Sequence, residues 1–426
     1  MTLLPHKFPQ TQVSATAMDE NDPLRDFRDR FHMPITSSGS PAIYLTGNSL
    51  GLQPRSAREY VEQELDDWAR LGVGGHHAAR NAWLPYHEFL TENMAAIVGA
   101  EPVETVVMNS LTVNLHLLMV SFYRPTRERY KVVIENGSFP SDRYAVESQI
   151  KFHGFDPQEA LIELTPRDGQ TTLLTDDIVE TIERNGDAIA LIMLGGVNYY
   201  TGQAFEMKAI TAAGHGRGCV VGFDLAHAAG NINLELHDWD VDFAAWCTYK
   251  YLNGGPGAVA GAFIHERHST SFDLPRFAGW WGHDKGSRFL MGPEFRPMDG
   301  AEGWQISNPP ILQMAALRAS LEIFAGAGME ALIAKSKALT AYLESLLDQL
   351  SDERIDVITP RNPSARGCQL SIRVRRSDKS LFEALTAAGI AADWREPDVI
   401  RVAPVPLYNS FADIERFAAI LKTCLT

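Results

Sequence analysis

The sequence predicts an α/β protein, with a large domain built on a mainly parallel sheet covered by helices and a smaller α+β domain after it. Three observations predict this class. Between residues 90 and 270, short apolar, β-branched runs alternate with helical stretches, the pattern of parallel strands joined by crossover helices. Two of those runs, 188–194 and 219–223, are almost wholly apolar, as strands are when helices cover both faces of their sheet. After Pro309-Pro310 the alternation stops, and a long helical stretch leads into short strands mixed with helices.

The elements follow in chain order. The first 30 residues read as a polar lead, ordered only where it docks. A short extended run at 42–45 enters the turn-rich segment Thr46-Gly47-Asn48-Ser49-Leu50-Gly51. Residues 55–70 carry a helical pattern with Tyr60, Leu65 and Trp68 among acidic positions. Strands are expected at 105–108, 130–134, 188–194, 219–223, 243–248 and 258–264. One long helix is expected over 312–350, then strands at 356–359, 369–374 and 399–402 with a helix at 381–388. Ser410 and Asp413 stand three apart at the head of a last helix, 410–425, in the manner of a capping box. The division expected is a segment 1–60 packing on the small domain, a large domain 61–330 and a small domain 331–426.

Composition excludes several classes of function. Lys and Arg number 38 against 53 Asp and Glu, a net charge of −15, which repels nucleic acid and anionic membranes. A chain 45% hydrophobic and 21% charged is not a disordered one. No run approaches 18 uninterrupted apolar residues, and the lead holds no apolar run of signal-peptide length. The four cysteines, Cys219, Cys247, Cys368 and Cys424, are widely spaced with no C-x-x-C pair, which fits a reducing compartment. A cytoplasmic location is therefore expected.

Parallel sheets bind ligands where their strands end, so the residues at those junctions are the candidates for chemistry. Phe223-Asp224-Leu225-Ala226-His227 ends an apolar strand in a carboxylate with a histidine three residues on; the same aspartate could serve as an ordinary helix cap. Tyr249-Lys250 follows the next apolar strand and precedes Asn253-Gly254-Gly255-Pro256-Gly257. Small residues there let a planar ligand approach the backbone, and a lysine so held can form a Schiff base, or it can simply be solvated. Met108-Asn109-Ser110-Leu111-Thr112-Val113 turns a strand into a helix whose N-terminus is a ready phosphate site or an ordinary cap. Phe139-Pro140-Ser141-Asp142 offers an aromatic face for a heterocycle or for the core.

The order of these signals (phosphate cup, aromatic, carboxylate with histidine, lysine) is that of fold-type-I pyridoxal-phosphate enzymes. With Gly47-Asn48-Ser49-Leu50-Gly51-Leu52-Gln53-Pro54, Leu111-Thr112-Val113-Asn114-Leu115-His116, Tyr200-Thr201-Gly202-Gln203, Tyr249-Lys250-Tyr251-Leu252-Asn253, Gly279-Trp280-Trp281-Gly282-His283 and Ile306-Ser307-Asn308-Pro309-Pro310, the chain resembles the kynureninase family from residue 44 to its end. The resemblance implies the fold-type-I transferase architecture, with a seven-stranded sheet in the large domain. It implies pyridoxal 5'-phosphate condensed with Lys250, its ring nitrogen facing Asp224, Phe139 over one ring face and His227 beside the ring. It also implies a phosphate held by Leu111, Thr112 and Tyr249, with Ser141, Asp142 and Gly195 at cofactor-contact positions, Gly195 through its backbone alone. Trp280 and Asn308 would complete the phosphate shell from the partner subunit of a homodimer. Arg401 would hold the substrate α-carboxylate, His76, His283 and Asn308 would shape the pocket for the aryl ketone of kynurenine, and Lys250 and Tyr249 would be catalytic.

Three rivals remain at this level. A cysteine desulfurase or selenocysteine lyase on the same fold needs a nucleophilic cysteine on a mobile loop; Cys368 stands late in the chain but opens an apolar strand, which favours a buried thiol. An aminotransferase needs a keto-acid co-substrate. A regulator without turnover would have lost Lys250 or Arg401, and both are present.

Overall fold

A computed structural model describes residues 14–268, 273–375 and 378–425. The chain opens with α1 (Ala15–Glu20), β1 (Ile43–Tyr44), α2 (Ala57–Leu71), α3 (Gly75–Ala78) and α4 (Glu88–Val98). It then alternates through β2 (Thr105–Val107), α5 (Leu111–Phe122), β3 (Lys131–Glu135), α6 (Pro140–Phe152), α7 (Pro157–Ala160), β4 (Leu161–Leu164), α8 (Thr175–Asn185), β5 (Ile189–Gly195), α9 (Met207–Gly216) and β6 (Val220–Asp224). β7 (Phe243–Trp246) and β8 (Gly261–Ile264) end the run.

These strands form one seven-stranded sheet in the order β2-β8-β7-β6-β5-β3-β4. It is parallel except at β8, which runs antiparallel to both of its neighbours. Both faces are buried, as the apolar runs require. Val107, Val133, Ile192 and Phe223 pack into the core on one side, while Val106, Val132, Ile134, Leu191 and Met193 pack into the core on the other. Each fully buried side chain of this size is worth about 1.5–3 kcal/mol. β4 escapes the sequence pattern because it is a short edge strand, only partly buried and interrupted by Glu163.

The stretch read as one helix is two, α10 (Ile311–Ala327) and α11 (Met329–Leu350). Gly328 separates them at φ +75° while its N–H still closes the last turn of α10 on the Phe324 carbonyl at 2.8 Å; a residue without Cβ adopts that backbone cheaply. α2 forms where 55–70 reads as helical, but with polar side chains turned inward. Leu65 and Trp68 are exposed, whereas Glu64 and Asp67 are buried. Hydrogen bonds pay for that inversion: Glu64 accepts from Asn81 (2.8 Å), the Trp83 indole (2.9 Å) and the Tyr86 hydroxyl (3.1 Å), and Asp67 from the Arg80 N–H (2.8 Å).

The remaining elements are β9 (Ile355–Val357), β10 (Leu370–Val374), α12 (Ser380–Ala387), β11 (Ile390–Ala391), β12 (Asp393–Arg395), β13 (Val399–Val402) and α13 (Phe411–Leu425). Four of them form an antiparallel sheet in the order β12-β13-β10-β9, with α11 and α13 contributing to its core through Leu339, Leu343, Ile414 and Phe417. β1 pairs in parallel with β11. Asp19, at the end of α1, accepts from the free N–H groups of Phe411 (2.7 Å) and Ala412 (3.0 Å) at the start of α13. The Ser410–Asp413 capping box forms as read, with Asp413 N–H on Ser410 Oγ at 3.1 Å and Ser410 N–H on Asp413 Oδ2 at 3.3 Å. Among the described residues, no helix is long and apolar enough to cross a membrane.

Candidate active site

One cleft opens where β3, β5 and β6 end, closed on its other sides by the loop after β7 and the first turns of α5 and α6. Each strand delivers a different group at its last residue: Glu135 from β3, Gly195 from β5 and Asp224 from β6. The loop after β7 brings Tyr249 and Lys250 to the same space.

Lys250 Nζ lies 3.0 Å from His227 Nε2. Burial above all, then the charges of Lys250, Arg401 and Arg395, hold the imidazole well below its usual range. The ring is therefore neutral at physiological pH; its Nε2 accepts from Lys250, and its Nδ1 has no partner. The ammonium also sits 5.8 Å from the centroid of the Phe139 ring, which itself meets Tyr199 edge-on at 5.2 Å.

The opposite wall is acidic. Asp224 is buried and accepts from the Ala226 N–H at 2.7 Å. Burial raises its pKa. Burial, then the charge of Asp224 and a hydrogen bond to it, pushes the Asp142 carboxyl well up. Glu135 is pushed up to about 7, chiefly by burial and further by Asp224, and the Gly195 N–H lies 3.3 Å from both of its oxygens.

At the third side, Ser110 precedes α5 in extended backbone without a side-chain cap. The first N–H groups of α5, at Leu111 and Thr112, are thus left for an anion. Thr112 Oγ1 and Ser141 Oγ stand 3.0 Å apart beside them. A buried carboxylate, an amine within reach and a helix N-terminus flanked by two hydroxyls make a donor set that fits pyridoxal 5'-phosphate: one end takes a phosphate, the other a cationic ring nitrogen.

Comparison with known proteins narrows this fit to one family. A family profile described as "Kynureninase C-terminal domain" matches residues 332–421. The kynureninase of Koribacter versatilis is 62% identical over 96% of this chain and 97% of its own length. The kynureninase of Myxococcus xanthus is 60% identical over 98% of each. The chain belongs to the kynureninase family.

Solved structures similar to this kynureninase family member share its fold. An apo cysteine desulfurase from Thermococcus onnurineus matches 93% of this chain and 97% of its own at TM-score 0.76 and 18% identity. A C-DES mutant with glycine covalently linked to its PLP cofactor matches 93% and 98% at TM-score 0.77 and 17% identity. The desulfurase requirement, a reactive thiol, is not met at Cys368: it is fully buried, its N–H is held by Asn231 at 2.9 Å, and burial pushes the thiol up to about 12.

The cleft gathers ten residues singled out in the sequence: Leu111, Thr112, Phe139, Ser141, Asp142, Gly195, Asp224, His227, Tyr249 and Lys250. Arg401 lies behind its wall in β13, buried, with Nη1 donating to the Tyr199 carbonyl at 2.8 Å. Four others do not line the single-chain cleft. His76, in α3, packs edge-on to Trp83 with its Nδ1 unpartnered. His283 accepts from the Arg296 N–H at 2.9 Å. Trp280 is 43% exposed, and Asn308 is exposed ahead of α10. Glu135 and Tyr199 line the cleft and were missed. The signal for Glu135 was present, since it ends an apolar strand just as Asp224 does.

Proposed function

We propose that the chain binds pyridoxal 5'-phosphate at Lys250 and hydrolyses the Cβ–Cγ bond of L-kynurenine, of 3-hydroxy-L-kynurenine or of both. The products are anthranilate or 3-hydroxyanthranilate and L-alanine, in tryptophan degradation and pyridine nucleotide biosynthesis. The observation that carries this reading is the meeting of Lys250, buried Asp224 and the open N-terminus of α5 in one cleft of a kynureninase-family chain.

When bound, the cofactor supplies an electron sink for carbon atoms next to the substrate amine. Asp224, a buried carboxylate, would keep the cofactor's ring nitrogen protonated by opposing the ring's positive charge. Leu111, Thr112, Ser141 and Tyr249 would hold the phosphate, and Phe139, Asp142, Gly195 and His227 would surround the ring. Lys250 accepts the substrate α-proton and returns it. Burial and then the neighbouring Cys247 raise the Tyr249 phenol above its usual range in the cofactor-free cleft; with the phosphate beside it, Tyr249 is the acid/base of the hydrolytic step. Arg401 holds the α-carboxylate, and His76, His283 and Asn308 shape the aryl pocket.

The protein acts as a cytoplasmic homodimer in which Trp280 and Asn308 reach the partner's site. The exposed apolar residues Phe277, Trp280, Phe289, Leu290 and Met291 support such an interface. The working division is 1–60, 61–330 and 331–426, with the first segment packing on the third. Incubation with kynurenine and no added keto acid should release fluorescent anthranilate, and Lys250→Ala should lose both the yellow colour and turnover. A colourless but active Lys250→Ala protein would overturn the reading.

A further inference from the structure

Two guanidinium groups share one carboxylate behind the cleft wall. Asp393 in β12 stands opposite Arg401 in β13. Arg401 Nε donates to Asp393 Oδ1 at 2.6 Å. Its Nη2 donates to Asp393 Oδ2 and to Ser49 Oγ, the latter at 3.1 Å, and Nη1 donates to the Tyr199 carbonyl at 2.8 Å. An arginine has five N–H donors, and Arg401 has committed four. A bidentate carboxylate contact needs two parallel donors on one fork, and Arg401 alone has none to spare.

Arg395 lies two residues beyond Asp393 on the same strand, and so on the same face. Its Nη2 donates to Asp393 Oδ2 at 3.2 Å and to Ser49 Oγ at 3.4 Å. Its Nε is buried without an acceptor, an unfavourable state that an incoming acceptor would relieve. The cluster of two arginines and one aspartate carries a net positive charge. It also touches the cleft on two sides, through Tyr199 and through the loop of Ser49, whose Gly51 N–H donates to the Tyr249 carbonyl at 2.8 Å. The side chain of Arg401 is 1% exposed and that of Arg395 36%, so Arg395 is the arginine open to an incoming ligand.

We infer that Arg395 is a second carboxylate-binding residue for the amino-acid end of the substrate, with Asp393 and Ser49 as positioning residues that lock Arg401 beside it. The α-carboxylate takes the donors that Arg395 leaves free together with the remaining Nη1 hydrogen of Arg401. This assignment rests on the kynurenine-cleaving reading above and adds to it which side chains compete for the carboxylate.

The test compares holoenzyme carrying Arg395→Gln with wild type. KM for kynurenine should rise about 10- to 100-fold, the loss of a hydrogen bond to a charged group, with kcat changed far less. Calorimetric binding of L-alanine should weaken by a similar factor. Inhibition by 2-aminoacetophenone, which lacks the carboxylate, should not change, and neither should cofactor content. Arg395→Lys, which keeps the charge against Asp393 but not the fork, should fall between the two and serves if the Gln variant folds poorly. KM and L-alanine affinity within twofold of wild type in either variant would overturn the assignment, and would mean that Asp393 swings aside to free Arg401. Wild-type protein that makes no anthranilate would overturn the functional reading instead; the L-alanine arm then decides the role of Arg395 alone.

Discussion

Glu135 reaches the cleft as a carboxyl group in a place that disfavours its charge. Burial and the neighbouring Asp224 push it up to about 7, against an ordinary value of 4.5. A raised carboxyl stabilises the fold below the unfolded value, and that contribution disappears as pH climbs through the folded one. Cofactor-free protein should therefore lose stability between pH 4.5 and about 7, by up to about 3 kcal/mol. Glu135→Gln should flatten that slope in thermal unfolding scans taken across the range; an unchanged slope would mean that Glu135 ionises like an exposed residue. Asp224 belongs to the same scale. Asp224→Asn keeps its shape but removes the charge opposed to a ring cation, so cofactor affinity should fall by about 10-fold or more, read by spectral titration of the stripped enzyme.

The elements follow local chemistry closely, except where one residue interrupts it. Gly328 is such a residue. Nothing lies within 4 Å of where its Cβ would stand, so Gly328→Ala meets strain in the backbone rather than a clash. At φ +75° the cost should be about 1–3 kcal/mol, seen as a lower denaturant midpoint with kcat unchanged. In α1, Asp19 caps α13 from a distant part of the chain. Asp19→Ala should cost about 0.5–2 kcal/mol, and no sequence motif signals it, because the cap and its helix are nearly 400 residues apart. β4 and β11 were illegible for a related reason. Each is a short strand whose partner, rather than its own residue pattern, makes it a strand.

The whole molecule sets the terms for residues that no single chain brings to the cleft. If Trp280 serves the partner's site, Lys250→Ala and Trp280→Ala chains are each deficient as homodimers. A hybrid dimer then has one site with both native residues. Mixing the two variants under conditions of subunit exchange should restore part of the activity, and sedimentation should give twice the chain mass. Activity no greater than that of the two variants measured separately would place Trp280 in its own subunit's site or in none.

By itself, the sequence determined the α/β class and six of the seven strands of the large sheet, and with its family resemblance it singled out ten residues of the cleft. The strands and the Asp224 and Lys250 positions depend on local features: apolar runs, strand ends and a glycine-rich loop. Tertiary structure alone decided that Glu135 and Tyr199 share the cleft, that Asp142 and Asp224 are buried close enough to oppose each other's charge, and that Asp393 already occupies the fork of Arg401. Each of those facts depends on distance and burial between residues far apart in the chain, where charge and hydrogen bonding act through space and leave no local pattern to read.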